Sequence, residues 1–405
     1  MKTLDERLTL LAEVVVRVGL NLQPRQELVL TAPIEAVPLV RKVAEAAYRR
    51  GASLVLPLLS DDALTLMRYQ MADLEALKKA PAWLYEGLAR AYREGAARLG
   101  IRGGDPRLLE GVPPEKIAVA QEAQAEAYRP ALEAISQFVT NWTLVPFAHP
   151  AWARRLFPEL PEEEAVNRLW EALFQVTRVD QEDPVAAWEA HNRRLGELVR
   201  YLNERRFHAL HFRGPGTDLT VGLAEGHVWQ GGAAQAQNGV VCTPNLPTEE
   251  VFTAPHRARV EGYVTSSKPL AYGGQVVEEI FARFEGGVAV EVRAKNGEAF
   301  LKALEADEGA RRLGEVALVP ASSPVAKTGL LFLETLLDEN AASHLAFGQS
   351  YAENVPGSPE EQVQRGGNQS KIHIDWMIGS PDTDVDGLYE DGTRVALMRR
   401  GEWVI

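Results

Sequence analysis

The sequence predicts an α/β protein in two parts: an N-terminal α/β domain with parallel crossover units, residues 1–206, and a sheet-rich α+β C-terminal domain, residues 207–405. Three observations predict it. Near the N-terminus a strand, a helix and a second strand follow one another, an order that right-handed crossovers convert into parallel pairing. Residues 72–201 repeat apolar side chains mostly at helical spacing, whereas beyond Arg206 short apolar runs and glycine turns take over. At 405 residues the chain is also long for a single core.

The first twenty residues place Asp5, Glu6 and Arg7 before an apolar stretch that Glu13 and Arg17 interrupt, which reads as an amphipathic helix and not a signal peptide. Residues 27–31 read as a buried strand, 36–50 as a helix ended by Gly51, and 53–57 as the second strand. Thr31-Ala32-Pro33-Ile34 reads as a turn without the GxGxxG glycines of a dinucleotide site. Phe138-Val139-Thr140 and Thr143-Leu144-Val145 continue the alternation as strand candidates. In the second half, residues 209–212, 219–221 and 288–292 read as strands. Gly214-Pro215-Gly216, Gly231-Gly232, Gly273-Gly274 and Asn296-Gly297 supply the turns.

Composition excludes several classes. A net charge of −13 argues against a nucleic-acid surface, which needs clustered Lys and Arg. No apolar run approaches a membrane span. The single cysteine, Cys242, excludes an intrachain disulfide framework and fits a reducing compartment, so a cytoplasmic location is expected. The sequons Asn141-Trp142-Thr143 and Asn368-Gln369-Ser370 then read as chance matches.

The chemistry concentrates in the second part. His373-Ile374-Asp375 has strand spacing, which puts an imidazole and a carboxylate on one face and Ile374 and Trp376 on the other. Glu249-Glu250 lies between Pro247 and Pro255, too short a stretch for a helix. If it is extended, one Glu ligates while the other reaches around; the plainer reading is an exposed acidic turn. Glu315 opens an apolar strand, where a carboxylate is costly unless paired, metal-bound or turned to water at the strand end. Glu339 and His344 would sit roughly 140° apart on an ideal helix, so only a turn at 338–340 lets both enter one cavity. His344 alone also reads as a core histidine. Such an acid and imidazole inventory suits zinc, cobalt or manganese, and a two-metal hydrolase needs about five or six such ligands. His208 and His211 face opposite sides of a strand, Cys242 reads as a buried inert thiol, Ser322-Ser323 as a turn and residues 271–274 as a hairpin tip.

The wording of four runs is also informative: Asn245-Leu246-Pro247-Thr248-Glu249-Glu250-Val251-Phe252-Thr253-Ala254-Pro255, Leu313-Gly314-Glu315-Val316-Ala317-Leu318-Val319, Asp338-Glu339-Asn340-Ala341-Ala342-Ser343-His344 and His373-Ile374-Asp375. In this order they resemble the thermophilic metallo-aminopeptidase family, of the aminopeptidase T type, and the likeness runs the whole length. The resemblance implies a metal-dependent exopeptidase removing N-terminal residues from short peptides through a two-metal-activated water. It implies two divalent ions per chain (zinc, cobalt or magnesium) on Glu250, Glu315, Glu339, His344, His373 and Asp375. It further implies Tyr351 near the metals, a catalytic C-terminal domain and a homodimer. Glu249, beside Glu250, is the expected general base, and Tyr351 the expected donor to the oxyanion. His256 departs from the family style, where an acidic residue is expected. The rival readings are a metal-stabilised binding protein without hydrolytic activity and a nucleotide-binding α/β enzyme.

Overall fold

The structure, a computed structural model, describes residues 2–405. It divides into two compact units, Met1–Ala190 with Ala233–Leu246, and His191–Gly232 with Pro247–Ile405. The boundary by packing falls inside helix Pro184–Arg205, whereas the boundary read from texture lies at 206/207.

In the first unit, helix Leu4–Val14 opens with a capping box: the Glu6 N–H donates to the Thr3 hydroxyl and the Thr3 N–H to the Glu6 carboxylate. Strands Glu27–Pro33, Leu54–Ser60, Ala97–Arg102 and Trp142–Pro146 form an all-parallel sheet ordered second, first, third, fourth. Helix Val37–Arg49 makes the first crossover and buries Leu39, Val40, Val43, Ala46 and Ala47, one face of a 3.6-residue repeat. Residues 31–33 do not turn as expected but extend the first strand, because Ala32 and Pro33 stay in register with Leu59 and Ser60.

Phe138-Val139-Thr140 is not a strand either. Helix Pro114–Ser136 closes there, with the N–H groups of Phe138 and Val139 folding back to the carbonyls of Ile135 and Ala134 and Phe138 at φ 54°. Strand propensity loses to the hydrogen bonds that end the helix. Residues 143–145 do lie in a strand, Trp142–Pro146. Segment 233–246 packs with this unit through Leu144, whose N–H donates to Pro244 O (2.7 Å) and whose carbonyl accepts from Leu246 N–H (3.0 Å).

The second unit holds two antiparallel sheets. The larger has nine strands and includes Ala209–Gly214, Thr217–Leu223, Pro255–Thr265, Gln275–Glu285 and Val288–Lys295. Its Gly273-Gly274 hairpin has positive φ at both positions, as a two-residue turn requires. The smaller orders His373–Met377, His344–Gly348, Leu313–Leu318 and Val251–Thr253. A shared core joins Val260, Ile280, Ala282 and Phe284 of the larger sheet to Val316, Leu318, Leu345, Phe347, Ile374 and Trp376 of the smaller. Phe347 stacks between Phe284 (6.0 Å between centroids) and Trp376 (5.6 Å). Each such side chain contributes about 1.5–3 kcal/mol by leaving water. The fold is therefore mixed α/β, a parallel sheet with helices followed by a large antiparallel region. No helix among the described residues is long and apolar enough to cross a membrane. Both sequon asparagines, Asn141 and Asn368, are buried with their amides hydrogen-bonded to backbone carbonyls, so neither can carry a glycan.

Candidate metal centre

The small sheet has one apolar face and one chemical face, and register explains both. Glu315 lies opposite Ala346, which lies opposite Asp375; Ala317 is opposite His344, and Gly348 opposite His373. Directly paired residues share a face, so Glu315, His344, His373 and Asp375 project together while Ala317, Ala346 and Gly348 between them leave room. The other face, Val316, Leu318, Leu345, Phe347, Ile374 and Trp376, is core.

A bulge makes this possible. Strict alternation would put Leu313 and Glu315 on the same side, but the register shifts between them and Leu313 pairs with Phe347 on the core face. Gly314 is the extra residue, and a Cβ there would lie 2.3 Å from the Gln349 carbonyl oxygen, so only glycine fits.

Two groups of donors result: Glu250, Glu315 and His344, and Glu315, His373 and Asp375. Glu315 belongs to both. His344 Nε2 is 3.1 Å from Glu250 Oε2 and 3.7 Å from Glu315 Oε1; His373 Nε2 is 3.2 Å from Glu315 Oε2 and 3.3 Å from Asp375 Oδ1. Glu250, Glu315 and His344 are buried, as expected of neither an acidic surface turn nor a strand end in water.

The imidazoles are oriented from behind. His344 Nδ1 lies 3.1 Å from Ala342 O, and His373 Nδ1 lies 2.7 Å from Gln349 O, so each donates from Nδ1 and turns Nε2 to the carboxylates. Glu250 Oε2 and His373 Nε2 are buried and sit at ion-pair distance from His344 and from Glu315 and Asp375, respectively, without the geometry of a hydrogen bond. Imidazole nitrogen and carboxylate oxygen are the donor set of a divalent transition ion, and a cation would satisfy both atoms better than these pairings do. The residues fit the metal that such a site implies.

The electrostatics agree. Burial works to lower His373, but pairing with Asp375 and Glu315 outweighs it and lifts the group to about 11. His344 is also raised well above its ordinary value, burial being outweighed by Glu250 and Glu315. Burial works to raise Glu315, but the two imidazoles hold it at about 2. Burial moves Glu250 and Glu339 upward, and Glu339 is raised further by the charges of Glu250 and Asp375. Excess negative charge here calls for positive charge.

A pH prediction follows for chelated protein. The His373 pairing contributes fully below its ordinary 6.5 and is lost as pH rises through about 11. The Glu315 pairing is present above its ordinary 4.5 and is lost as pH falls through about 2. Thermal midpoints of the chelated protein should thus peak between about pH 4.5 and 6.5 and decline on both sides. A midpoint that climbs steadily from pH 7 to 10 would contradict the pairing.

The remaining expected residues fall around this centre. Glu339 starts a 3-10 turn at the end of helix Thr335–Asp338; it is outside both donor groups but close enough to feel their charge. Tyr351, 41% exposed, has its ring 4.6 Å, centroid to centroid, from His373, and loss of water around its phenol together with the surrounding carboxylates, Glu315 first, raises that group above the ordinary range. Glu249 is buried beside Glu250: its Oε2 is 3.4 Å from His191 Nε2, and its N–H donates to Asn340 Oδ1 at 2.6 Å. His191 and Asn340 carry no signal in the sequence pattern, since one is an ordinary helical position and the other lies in a turn.

Elsewhere His211 pairs with Asp218 (2.7 Å) while His208 faces Arg259 and Glu390. Ser323 caps helix Pro324–Thr328. His256 is lowered by burial and by Arg259, and its Nδ1 accepts from the Ala258 N–H.

Known proteins similar to this chain are metal-dependent peptidases by family. Residues 4–403 match the family described as thermophilic metalloprotease (M29). The chain is 67% identical to aminopeptidase T of Thermus thermophilus, with all of both chains covered. It is 45% identical to aminopeptidase 2 of Geobacillus stearothermophilus, covering 100% of this chain and 99% of that one. The solved structure of wild-type AmpT from Thermus thermophilus superposes with a TM-score of 0.95 at 66% identity, again over the full length of both.

Proposed function

The chain belongs to the thermophilic metalloprotease family (M29) and is a metallo-aminopeptidase, and on that footing we propose that it removes N-terminal residues from short peptides with two divalent ions. Glu250, Glu315 and His344 would hold one ion and Glu315, His373 and Asp375 the other, with Glu339 reaching the pair from its turn. The observation that carries this reading is one carboxylate, Glu315, common to two three-donor groups. Zinc, cobalt and magnesium are the candidate ions, the imidazoles favouring the first two. Bound ions of this kind would polarise the scissile carbonyl and lower the pKa of the attacking water.

The protein's own groups would do the rest. Glu249 accepts a proton from the attacking water and returns it to the leaving amine, a role that its burial beside the ligand Glu250 supports. Tyr351, its phenol raised by loss of water around it and by the carboxylates, keeps its proton at neutral pH and donates to the developing oxyanion. Chelation should abolish cleavage of leucine anilide, and add-back of ion should restore it with two metals counted per chain. One metal at full activity would sink the two-ion reading.

We also propose a homodimer. The edge strand Leu54–Ser60 and the helix after it expose Leu54, Leu56, Leu59, Leu64, Met67 and Met71, a patch that a partner subunit would cover. Sedimentation should give twice the chain mass, and Leu56→Glu should shift it towards monomer. A monomer before mutation refutes the dimer. Cys242, buried and pushed up to about 11 by that burial, suits a reducing compartment, and we place the protein in the cytoplasm.

A further inference from the structure

We propose that His191 is a positioning residue for Glu249, fixing the carboxylate that acts as base; the inference rests on the reading of Glu249 given above. His191 lies on helix Pro184–Arg205, far in sequence from every metal-ligand motif. Its Nε2 is 2.8 Å from the Thr248 carbonyl oxygen, so that nitrogen carries the proton and donates. The same Nε2 is 3.4 Å from Glu249 Oε2. The imidazole thus donates to the backbone that enters the acidic pair and stands within ion-pair distance of the carboxylate of its first member.

The other side of the peptide is held too. The Glu249 N–H donates to Asn340 Oδ1 at 2.6 Å, Asn340 Nδ2 donates to Leu336 O at 2.9 Å, and Asn340 O accepts from the Ser323 hydroxyl at 2.9 Å. Glu249 is gripped between a long helix and the turn that begins with Glu339. The neighbouring Glu250 reaches His344 Nε2 at 3.1 Å. A general base has to be held within hydrogen-bond reach of its proton, and displacement of about 1 Å can cost about a hundredfold. His191 supplies that hold without touching substrate.

The test uses metal-loaded enzyme and leucine anilide, with His191→Leu, His191→Gln, Glu249→Gln and the double variant His191→Leu/Glu249→Gln. His191→Leu should lower kcat about 10- to 100-fold while KM and the metal count stay within about twofold. His191→Gln, which keeps an N–H donor, should recover to within about fivefold of the parent enzyme. In the Glu249→Gln background His191→Leu should add less than about twofold, because both act through one group. An unchanged kcat in His191→Leu overturns the proposal. So does a matching loss in His191→Gln, a fall in metal count, or full multiplicativity in the double variant. Normal turnover in Glu249→Gln alone removes the base assignment itself, an outcome distinct from failure of His191.

Discussion

Glu315→Gln is expected to empty both halves of the centre at once and to lower kcat/KM by about a thousandfold or more. The size comes from the several kcal/mol of charge stabilisation that a bound ion supplies, about 4 here, at about 1.4 kcal/mol per tenfold in rate. The reason to expect more from this residue than from the others is its membership of both donor groups, whereas Glu250, His344, His373 and Asp375 each belong to one. Metal counting separates the cases. Glu315→Gln should retain less than one ion per chain, and His373→Gln should lose one of two. If Glu315→Gln keeps two ions and turns over normally, the shared-carboxylate arrangement is wrong.

Glu249→Gln should give the opposite pattern, a loss of about a hundredfold to ten-thousandfold in kcat with both ions in place. The amide is nearly isosteric and keeps the backbone contact to Asn340, so stability should change little. It cannot take the proton. Near-normal turnover would remove Glu249 from the mechanism, and loss of metal would instead make it a structural partner of Glu250.

The parts of this molecule that obey a local rule were legible in the sequence. His373, Ile374, Asp375 and Trp376 sit as period-2 alternation requires, two in the centre and two in the core or facing it. Glu315 stands out because a carboxylate opening an apolar strand needs a partner, and it has one; for Glu250 the pattern also allows an exposed acidic turn, and its burial against His344 decides the matter. The crossover from Glu27–Pro33 to Leu54–Ser60 followed from order alone. What escaped was set by contacts that alternation and propensity do not encode. Alternation around Gly314 fails because of a bulge that depends on the close approach of the Gln349 carbonyl. Phe138 and Val139 have the side chains of a strand but are bound by the helix before them. His191 meets Thr248 and Glu249 across more than fifty residues, with no periodicity to announce it.

The row of Ala317, Ala346 and Gly348 leaves a hollow where a sheet would ordinarily be filled by branched side chains, and lines it with acids that repel one another. On that side only the two imidazoles offset the acids, and a bound cation would add the rest of the cohesion. A ligand that binds only the folded chain raises its stability in proportion to the logarithm of its concentration. The supply of metal would then govern how long each folded copy survives as well as how fast it works, and scarcity of ions would thin the population of the enzyme along with its activity.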